Sequence, residues 1–495
     1  MSAYQKLVSH FQTIHNFSHL SSICGWDQAT MMPSGGHQAR SEAMTALSLH
    51  IHHLSTQDSV GDWIAEAENE TLSATEKSSL REMKRSWNQA TALPEDLVKA
   101  QSLAGSMCEY AWRTQRGEND WQGFSKYFSE VVNLSQQEAK IRAESMPDGT
   151  TPYDAMLDLF EPGTNTIFLN NLFSNVKSWL PELTQQVQDK QASESYLTPK
   201  GHFPTSSQKA LGKDVMTLLG FDFNHGRLDV STHPFCGGVP SDVRMTTRYD
   251  EADFICALMG TVHETGHARY EQGLPKDLRS LPVGQARSMG IHESQSLFFE
   301  MQLGRSKAFI THLAPMAAKA FNQQSSQVFE ANNLATLYTR VTPGYIRVDA
   351  DEVTYPAHVI LRYEIERDLI NDVIRYQDIP EIWDQKMQQY LGLSTENNFK
   401  DGCMQDIHWT DGSFGYFPSY TLGAMYAAQF MAKLKESVEV ESHVQHGELA
   451  PIFDWLQNNI WSKASTLKTD DLVISATGEV LNSEHFKQHL IHRYL

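Results

Sequence analysis

Thr261-Val262-His263-Glu264-Thr265-Gly266-His267 is the stretch from which the rest of the chain is read. Side chains four apart on a helix lie one above the other, so His263 and His267 can present two imidazoles to one cation. Glu264 follows the first histidine, and its carboxylate falls beside such a cation, placed to take a proton from water. Outward from this core, Asp250 is the expected cap, with Glu251 and Asp253 giving an acidic first turn that suits the positive end of the helix dipole. Phe254, Leu258 and Val262 recur every fourth residue and mark an apolar stripe beside the histidine face. Gly273 and Pro275 stop the helix.

The chain carries 21 histidines and 60 acidic residues. At those frequencies the H-E-x-x-H pattern arises by chance roughly 6% of the time. The cap, stripe and stop around it favour the metal site of a zinc peptidase over a pair of ordinary surface histidines. Catalytic zinc takes three protein ligands and a water, so a third ligand is required. Glu271 lies too close along the same helix to fold back. Glu293, in His292-Glu293-Ser294-Gln295, follows after a loop and the return of an antiparallel helix, and is the expected third ligand. Glu300 is its rival two turns on, and a solvated helix carboxylate is the plain alternative for both.

Composition narrows the remaining possibilities. Of 495 residues, 40% are hydrophobic and 20% charged, an ordinary balance for a globular protein. The formal net charge of −20 argues against nucleic acid and anionic membranes as partners. It does not exclude an anionic substrate, because a few arginines override the average inside a cleft. Cys24, Cys108, Cys236, Cys256 and Cys403 are scattered without a C-x-x-C pair, so free thiols are expected. The N-terminus lacks a signal-peptide pattern and no apolar run reaches the ~18 residues of a span, which points to the cytoplasm.

Tyr4, Leu7, Val8, Phe11, Ile14 and Phe17 give an opening amphipathic helix expected to end near Gly25, with Trp26 and two methionines docking beyond it. Helices follow from about 37 to 145, then at 165–190 and 206–218. Residues 227–231 and 241–249 alternate as strands do, separated by a Gly-Gly-Val-Pro turn at 237–240. They predict a small antiparallel sheet whose edge lies along the metal site, where a peptide can pair. Helices are then expected at 284–311, 351–373, 379–391, 420–435, 449–461 and 482–494. The fold class is mainly α with one small sheet.

Six ordered motifs carry a resemblance: His233-Pro-Phe235, Asp242-Val-Arg-Met-Thr246, His263-Glu-Thr-Gly-His267, His292-Glu-Ser-Gln295, Ile346-Arg-Val-Asp-Ala-Asp351 and Gly402-Cys-Met-Gln-Asp-Ile-His-Trp409. Together with Trp26-Asp-Gln-Ala-Thr-Met-Met-Pro33, the chain resembles the carboxypeptidase Taq family of metallopeptidases. The resemblance implies a saddle-shaped helical homodimer with a divalent metal at the bottom of a long, deep groove. It also implies release of single C-terminal residues from peptides with broad specificity. By the same resemblance His263, His267 and Glu293 are metal ligands and Glu264 is the general base. One catalytic domain over 1–495 is expected, with a helical wall to about 220, a metal-site core over about 221–435 and C-terminal helices over 436–495.

The supporting residues have physical roles to fill. Arg347 offers a forked guanidinium to a substrate carboxylate, or else an ion pair with Asp349, Asp351 or Glu352. Arg244 is a second candidate, with Asp242 as its own partner in the plainer reading. His233 and His408 are placed to donate to the substrate, or serve as structural histidines. Tyr416 or Tyr420 is expected to stabilise the oxyanion. Zinc is the expected cofactor, with cobalt or another divalent metal as a substitute. A dipeptidyl carboxypeptidase or oligopeptidase is the nearest alternative, and a metal-stabilised binding scaffold a more distant one.

Overall fold

The computed structural model describes residues 1–232 and 234–495, and its histidine helix runs over Phe254–Gly273. Its cap is Asp253, whose carboxylate accepts from the Ile255 amide at 2.8 Å. Asp250, the expected cap, accepts from the Ala252 amide instead. The acidic run makes a turn of its own, and the helix begins only where Phe254 can be buried. Leu258 and Val262 are buried with it, and Leu274 turns out of the helix just before Pro275. A Cβ on Gly266 would lie 2.4 Å from the Gln295 carbonyl oxygen, so glycine here lets the next helix touch the histidine helix backbone to backbone.

That next helix was expected to run through 284–311 but comes in pieces. An α-helix over Met289–Leu297 passes directly into a π-helix at Phe298–Gly304, and a separate helix follows over Lys307–Ala320. The π-turn is invisible to periodicity because Phe298, Phe299 and Leu303 keep the segment apolar. Such turns concentrate at functional sites.

The sheet differs from the sequence reading in topology. Its strands are β1 (Gly226–Val230), β2 (Phe235–Val239) and β3 (Asp242–Thr247), ordered β1-β3-β2. β1 runs parallel to β3 and β2 antiparallel to it, so the sheet is mixed rather than antiparallel. Gly237 and Gly238, read as a turn, lie inside β2. Gly238 has φ +90°, and a Cβ there would meet the Asp242 carbonyl oxygen at 2.1 Å. Only glycine closes that corner of the hairpin, which is why the strand carried a turn signature.

The opening helix extends over Ala3–Thr30, through Gly25. Ser2 and Gln5 form a capping box at its start, and the chain leaves it shortly before Pro33. One glycine costs only about 1 kcal/mol and does not stop a helix otherwise supported. Trp26 is buried beneath the guanidinium groups of Arg227 and Arg244, whereas Met31 is exposed. The helices expected at 165–190, 206–218, 379–391, 420–435, 449–461 and 482–494 form within about two residues of those bounds, and 351–373 shortens to Tyr355–Ile370. Ala331–Tyr338, Val440–His446 and Thr469–Thr477 were not foreseen, being too short to show a period.

Two of the apolar clusters include residues of the histidine helix, and another lies beside the opening helix. The largest includes Phe254, Leu258 and Val262, a second joins Leu7 and Phe11 to Leu281 and Val283, and the third joins Leu228, Val243 and Met245 of the sheet to Ala268.

Candidate active site

His263 and His267 rise from one face of the histidine helix, and Glu293 reaches them from the following helix. His263 Nε2 lies 4.0 Å from one Glu293 carboxylate oxygen, and His267 Nε2 lies 3.6 Å from the other. One ligating atom from each of the three falls within 4.8 Å of the others. Gly423, on the helix Pro418–Leu434, makes room for this approach, because a Cβ there would press to 2.7 Å from Cβ and Cγ of Glu293. Two imidazole nitrogens and a carboxylate form a donor set suited to a catalytic divalent cation.

Hydrogen bonds behind the triad fix which nitrogen faces it. His292 Nε2 lies 2.9 Å from a Glu271 oxygen, which as a carboxylate only accepts, so His292 donates from Nε2 and leaves its Nδ1 bare. His267 Nδ1 lies 2.7 Å from that bare nitrogen and donates to it. The Nε2 lone pair of His267 is thereby turned toward Glu293. His263 Nδ1 likewise sits 2.9 Å from Glu300, which is held in turn by Arg305 at 2.7 Å. Glu300, the rival third ligand, thus stands behind His263 rather than beside Glu293, a placement typical of carboxylates that orient metal-binding histidines. Arg493 supports the same π-helix by donating to the Met301 and Gln302 carbonyls.

The carboxylates around the triad act strongly on its titratable groups. Burial opposes charge on Glu300, yet Arg305 and His263 bring its carboxyl down to about 2. Burial also works against a charged His263, but Glu300 and Glu293 raise it to about 9. Burial, followed by the neighbouring His292 and His263, holds His267 well below its usual range. Glu264 is pushed up to about 7 by burial, with His263 pulling the other way and Glu293 adding to the rise.

A second group gathers on the Glu293 side. Arg347 is buried, with Nε and Nη2 each 2.9 Å from Asp406 Oδ1 and Nη1 2.7 Å from the Tyr355 hydroxyl. Its partner is therefore Asp406 and not Asp349, Asp351 or Glu352. Arg362, fully buried, pairs with the other Asp406 oxygen at 2.6 Å. Two guanidiniums share one carboxylate, which leaves a net positive charge beneath Tyr420, whose ring lies 4.8 Å from the Arg347 guanidinium. His408 Nε2 is 3.1 Å from the Tyr420 hydroxyl. Burial first, then balanced contributions that include Arg347 and Arg362, lowers His408 to about 4, so it is neutral at pH 7. Tyr416 packs edge-on against Tyr420 with ring centroids 5.2 Å apart.

Asp242 and Arg244 lie elsewhere. Arg244 donates to both Asp242 oxygens at 2.7 and 2.9 Å and stacks on Trp26, while His19 approaches Asp242 at 3.3 Å. These contacts tie β3 to the opening helix, and they follow the plainer reading of the pair. His233 lies outside the described residues. Sequence reasoning missed the orienting roles of Glu271 and His292, although Glu271 stands four residues past His267 on the same helical face. It also missed Tyr355, Arg362 and Asp406, whose meeting depends on helices far apart in sequence. A further carboxylate, Glu366, is fully buried and accepts from Trp409 Nε1 at 2.6 Å and from the Gly415 amide at 3.1 Å, anchoring both ends of the loop between His408 and Tyr416.

A mainly helical body in which an H-E-x-x-H helix meets a carboxylate from the following helix has the architecture of a metallopeptidase. Residues 6–494 match the family model of carboxypeptidase Taq (M32) metallopeptidase. Thermostable carboxypeptidase 1 of Thermus thermophilus is 36% identical, with 100% of this chain and 98% of that protein aligned. Carboxypeptidase 1 of Bacillus subtilis is also 36% identical, over 97% of this chain and 96% of its own length. Among solved structures, Trypanosoma cruzi metallocarboxypeptidase 1 superposes with a TM-score of 0.97 at 44% identity, covering 99% of each chain. The chain belongs to the carboxypeptidase Taq (M32) family and is a metal-dependent carboxypeptidase.

Proposed function

We propose that the chain releases single C-terminal residues from peptides of broad sequence, with zinc held by His263, His267 and Glu293. The observation that carries this reading is the pairing, on two sides of Glu293, of a cation-binding donor set with a buried excess of positive charge at Arg347, Arg362 and Asp406. When bound, a divalent cation there lowers the pKa of water and polarises the scissile carbonyl. Glu264 takes the proton from the attacking water and passes it to the departing amine. Tyr420 donates its hydroxyl hydrogen to the developing oxyanion, and neutral His408 holds that hydroxyl in position. Tyr416 stands behind Tyr420 as the alternative donor.

Arg347 fixes the terminal carboxylate. Asp406 and Tyr355 occupy part of its fork, and a guanidinium with five N–H groups retains donors on Nη1 and Nη2. Arg244 and Asp242 act at a distance in this reading, bracing β3 against the opening helix. The single catalytic body works as a homodimer, and its five free cysteines suit the reducing cytoplasm. No helix among the described residues is long and apolar enough to cross a membrane.

Metal analysis joined to a timed digestion of one defined peptide tests the proposal. One zinc per chain and a ladder of products shortened by single C-terminal residues are expected. Release of dipeptides, or internal cuts appearing first, would favour the oligopeptidase alternative.

A further inference from the structure

A buried carboxylate is costly unless it is paired or hydrogen-bonded. Glu161 is fully buried and takes no part in the chemistry assigned above. It closes the helix Pro152–Phe160, where its amide bonds the Leu157 carbonyl at 2.9 Å and its carbonyl accepts from the Thr164 amide at 3.0 Å. That short helix lies behind the tyrosines. Phe160 meets Tyr416 edge-on with ring centroids 5.2 Å apart, and a Cβ on Gly415 would lie 2.9 Å from the Leu157 amide nitrogen.

From this fixed end the Glu161 side chain reaches the first turns of two further helices. Its Oε1 accepts from the backbone amide of Gly290, the second residue of Met289–Leu297. The same oxygen accepts at 2.7 Å from Oγ of Ser419, the second residue of Pro418–Leu434. A helix start presents amides without partners inside the helix and the positive end of its dipole, and a carboxylate answers both. Ser288 Oγ takes the Ile291 amide at 3.1 Å, which leaves the Gly290 amide to Glu161. Glycine suits that position because a Cβ would lie 2.9 and 3.1 Å from the two Glu161 oxygens. Burial pushes the Glu161 carboxyl up to about 7, with the bonds from Ser419 and Gly290 opposing the rise.

The two helices carry different parts of the reaction. Glu293 lies three residues past Gly290, Tyr420 adjoins Ser419, and the helices touch where Gly423 faces Glu293. We propose that Glu161 is a positioning residue that fixes the metal ligand Glu293 relative to the oxyanion donor Tyr420, by tying the starts of their helices to one carboxylate oxygen. The proposal rests on the roles given to Glu293 and Tyr420 under the proposed function. The hydrogen bonds of Glu161 go to Gly290 and Ser419, so it acts through the helices and not on the substrate.

The test uses the full chain, loaded with zinc. Glu161→Ala strands two buried donors. It should weaken zinc binding about tenfold, read by chelator competition, and lower kcat of the zinc-saturated enzyme about tenfold with little change in KM. Glu161→Gln keeps an accepting oxygen at the same reach and should restore most of both. Ser419→Ala cuts only the tyrosine arm, so it should lower kcat at unchanged zinc affinity and add no further loss to Tyr420→Phe. Should Glu161→Ala fail to fold, the Ser419→Ala and Tyr420→Phe cycle decides alone. Unchanged zinc affinity or unchanged kcat in Glu161→Ala, or no rescue by Glu161→Gln, would overturn the proposal and leave Glu161 a structural cap. Unchanged kcat in Ser419→Ala, or a loss that simply adds to that of Tyr420→Phe, would do the same. Normal kcat in Tyr420→Phe would instead overturn the tyrosine's role in the underlying reading, and zinc affinity in Glu161→Ala then decides the Glu293 arm.

Discussion

The two flanks of Glu293 are built from opposite excesses of charge. On one, the histidines are backed by Glu271 and Glu300 and stand beside Glu264, and Arg305 pairs with Glu300, so carboxylates predominate. On the other, Arg347 and Arg362 share only Asp406, and the nearby His408 is neutral. The first flank suits a cation and the second an anion. In a chain of net charge −20, the second flank has to be assembled locally, and burial makes its charge effective by excluding screening water.

The largest expected effect is on the acidic flank. Glu264→Gln should lower kcat by about 10³-fold with metal content unchanged, since it removes the proton acceptor without removing a ligand. Glu293→Ala should lose both metal and activity. Parallel measurement of kcat and bound metal checks the distinction, and full metal occupancy in Glu293→Ala would remove it from the ligand set. Next in size, Tyr420→Phe should cost about 10²-fold in kcat with little change in KM, and Tyr416→Phe much less. Near-normal kcat in both single variants would take tyrosine out of the reaction.

Support for the ligands should matter less than the ligands themselves. Glu300→Gln should weaken metal binding about 10- to 100-fold, read by chelator competition, because the imidazole of His263 loses its orienting carboxylate. Unchanged metal affinity would mean that Glu300 serves Arg305 alone.

The smallest effect is a pH dependence of stability on the basic flank. His408 is held at about 4 and His358, fully buried, at about 3, both depressed from 6.5 chiefly by burial, with the two arginines opposing a positive charge. In the unfolded chain these histidines bind protons below about 6.5, whereas in the folded chain they do not. Their contribution to stability is fully present above 6.5 and falls as pH drops toward 4 and 3. The slope is up to about 1.4 kcal/mol per pH unit for each histidine. Denaturant melts from pH 7 to 5 check this, and His408→Asn should flatten the slope.

The two flanks also differ in how far the sequence disclosed them. His263, Glu264, His267 and Glu271 share one helix, so a spacing of four residues exposes the acidic flank, and Glu293 follows one loop later. The basic flank joins Arg347 from a short turn, Tyr355 and Arg362 from one helix, Asp406 from a loop and Tyr420 from another helix. No local period links them, and the alternative ion pair of Arg347 was sought among its sequence neighbours rather than at Asp406. Elsewhere, glycine misled in two ways. Gly25 was taken as a stop where helix continues, and Gly237-Gly238 as a turn where strand runs, because the sequence records that a side chain is missing but not which close approach requires it.

The division of labour between the flanks is tested most directly by the fate of one N-acetylated peptide supplied as free acid and as C-terminal amide. In a mass-spectrometric time course with metal-loaded enzyme, the free acid should shorten one residue at a time and the amide should be cleaved much more slowly. Arg347→Ala should narrow that gap by impairing the acid far more than the amide. Equal rates on acid and amide with the unaltered enzyme, or internal fragments appearing first, would contradict the assignment of the basic flank to the substrate's terminal carboxylate.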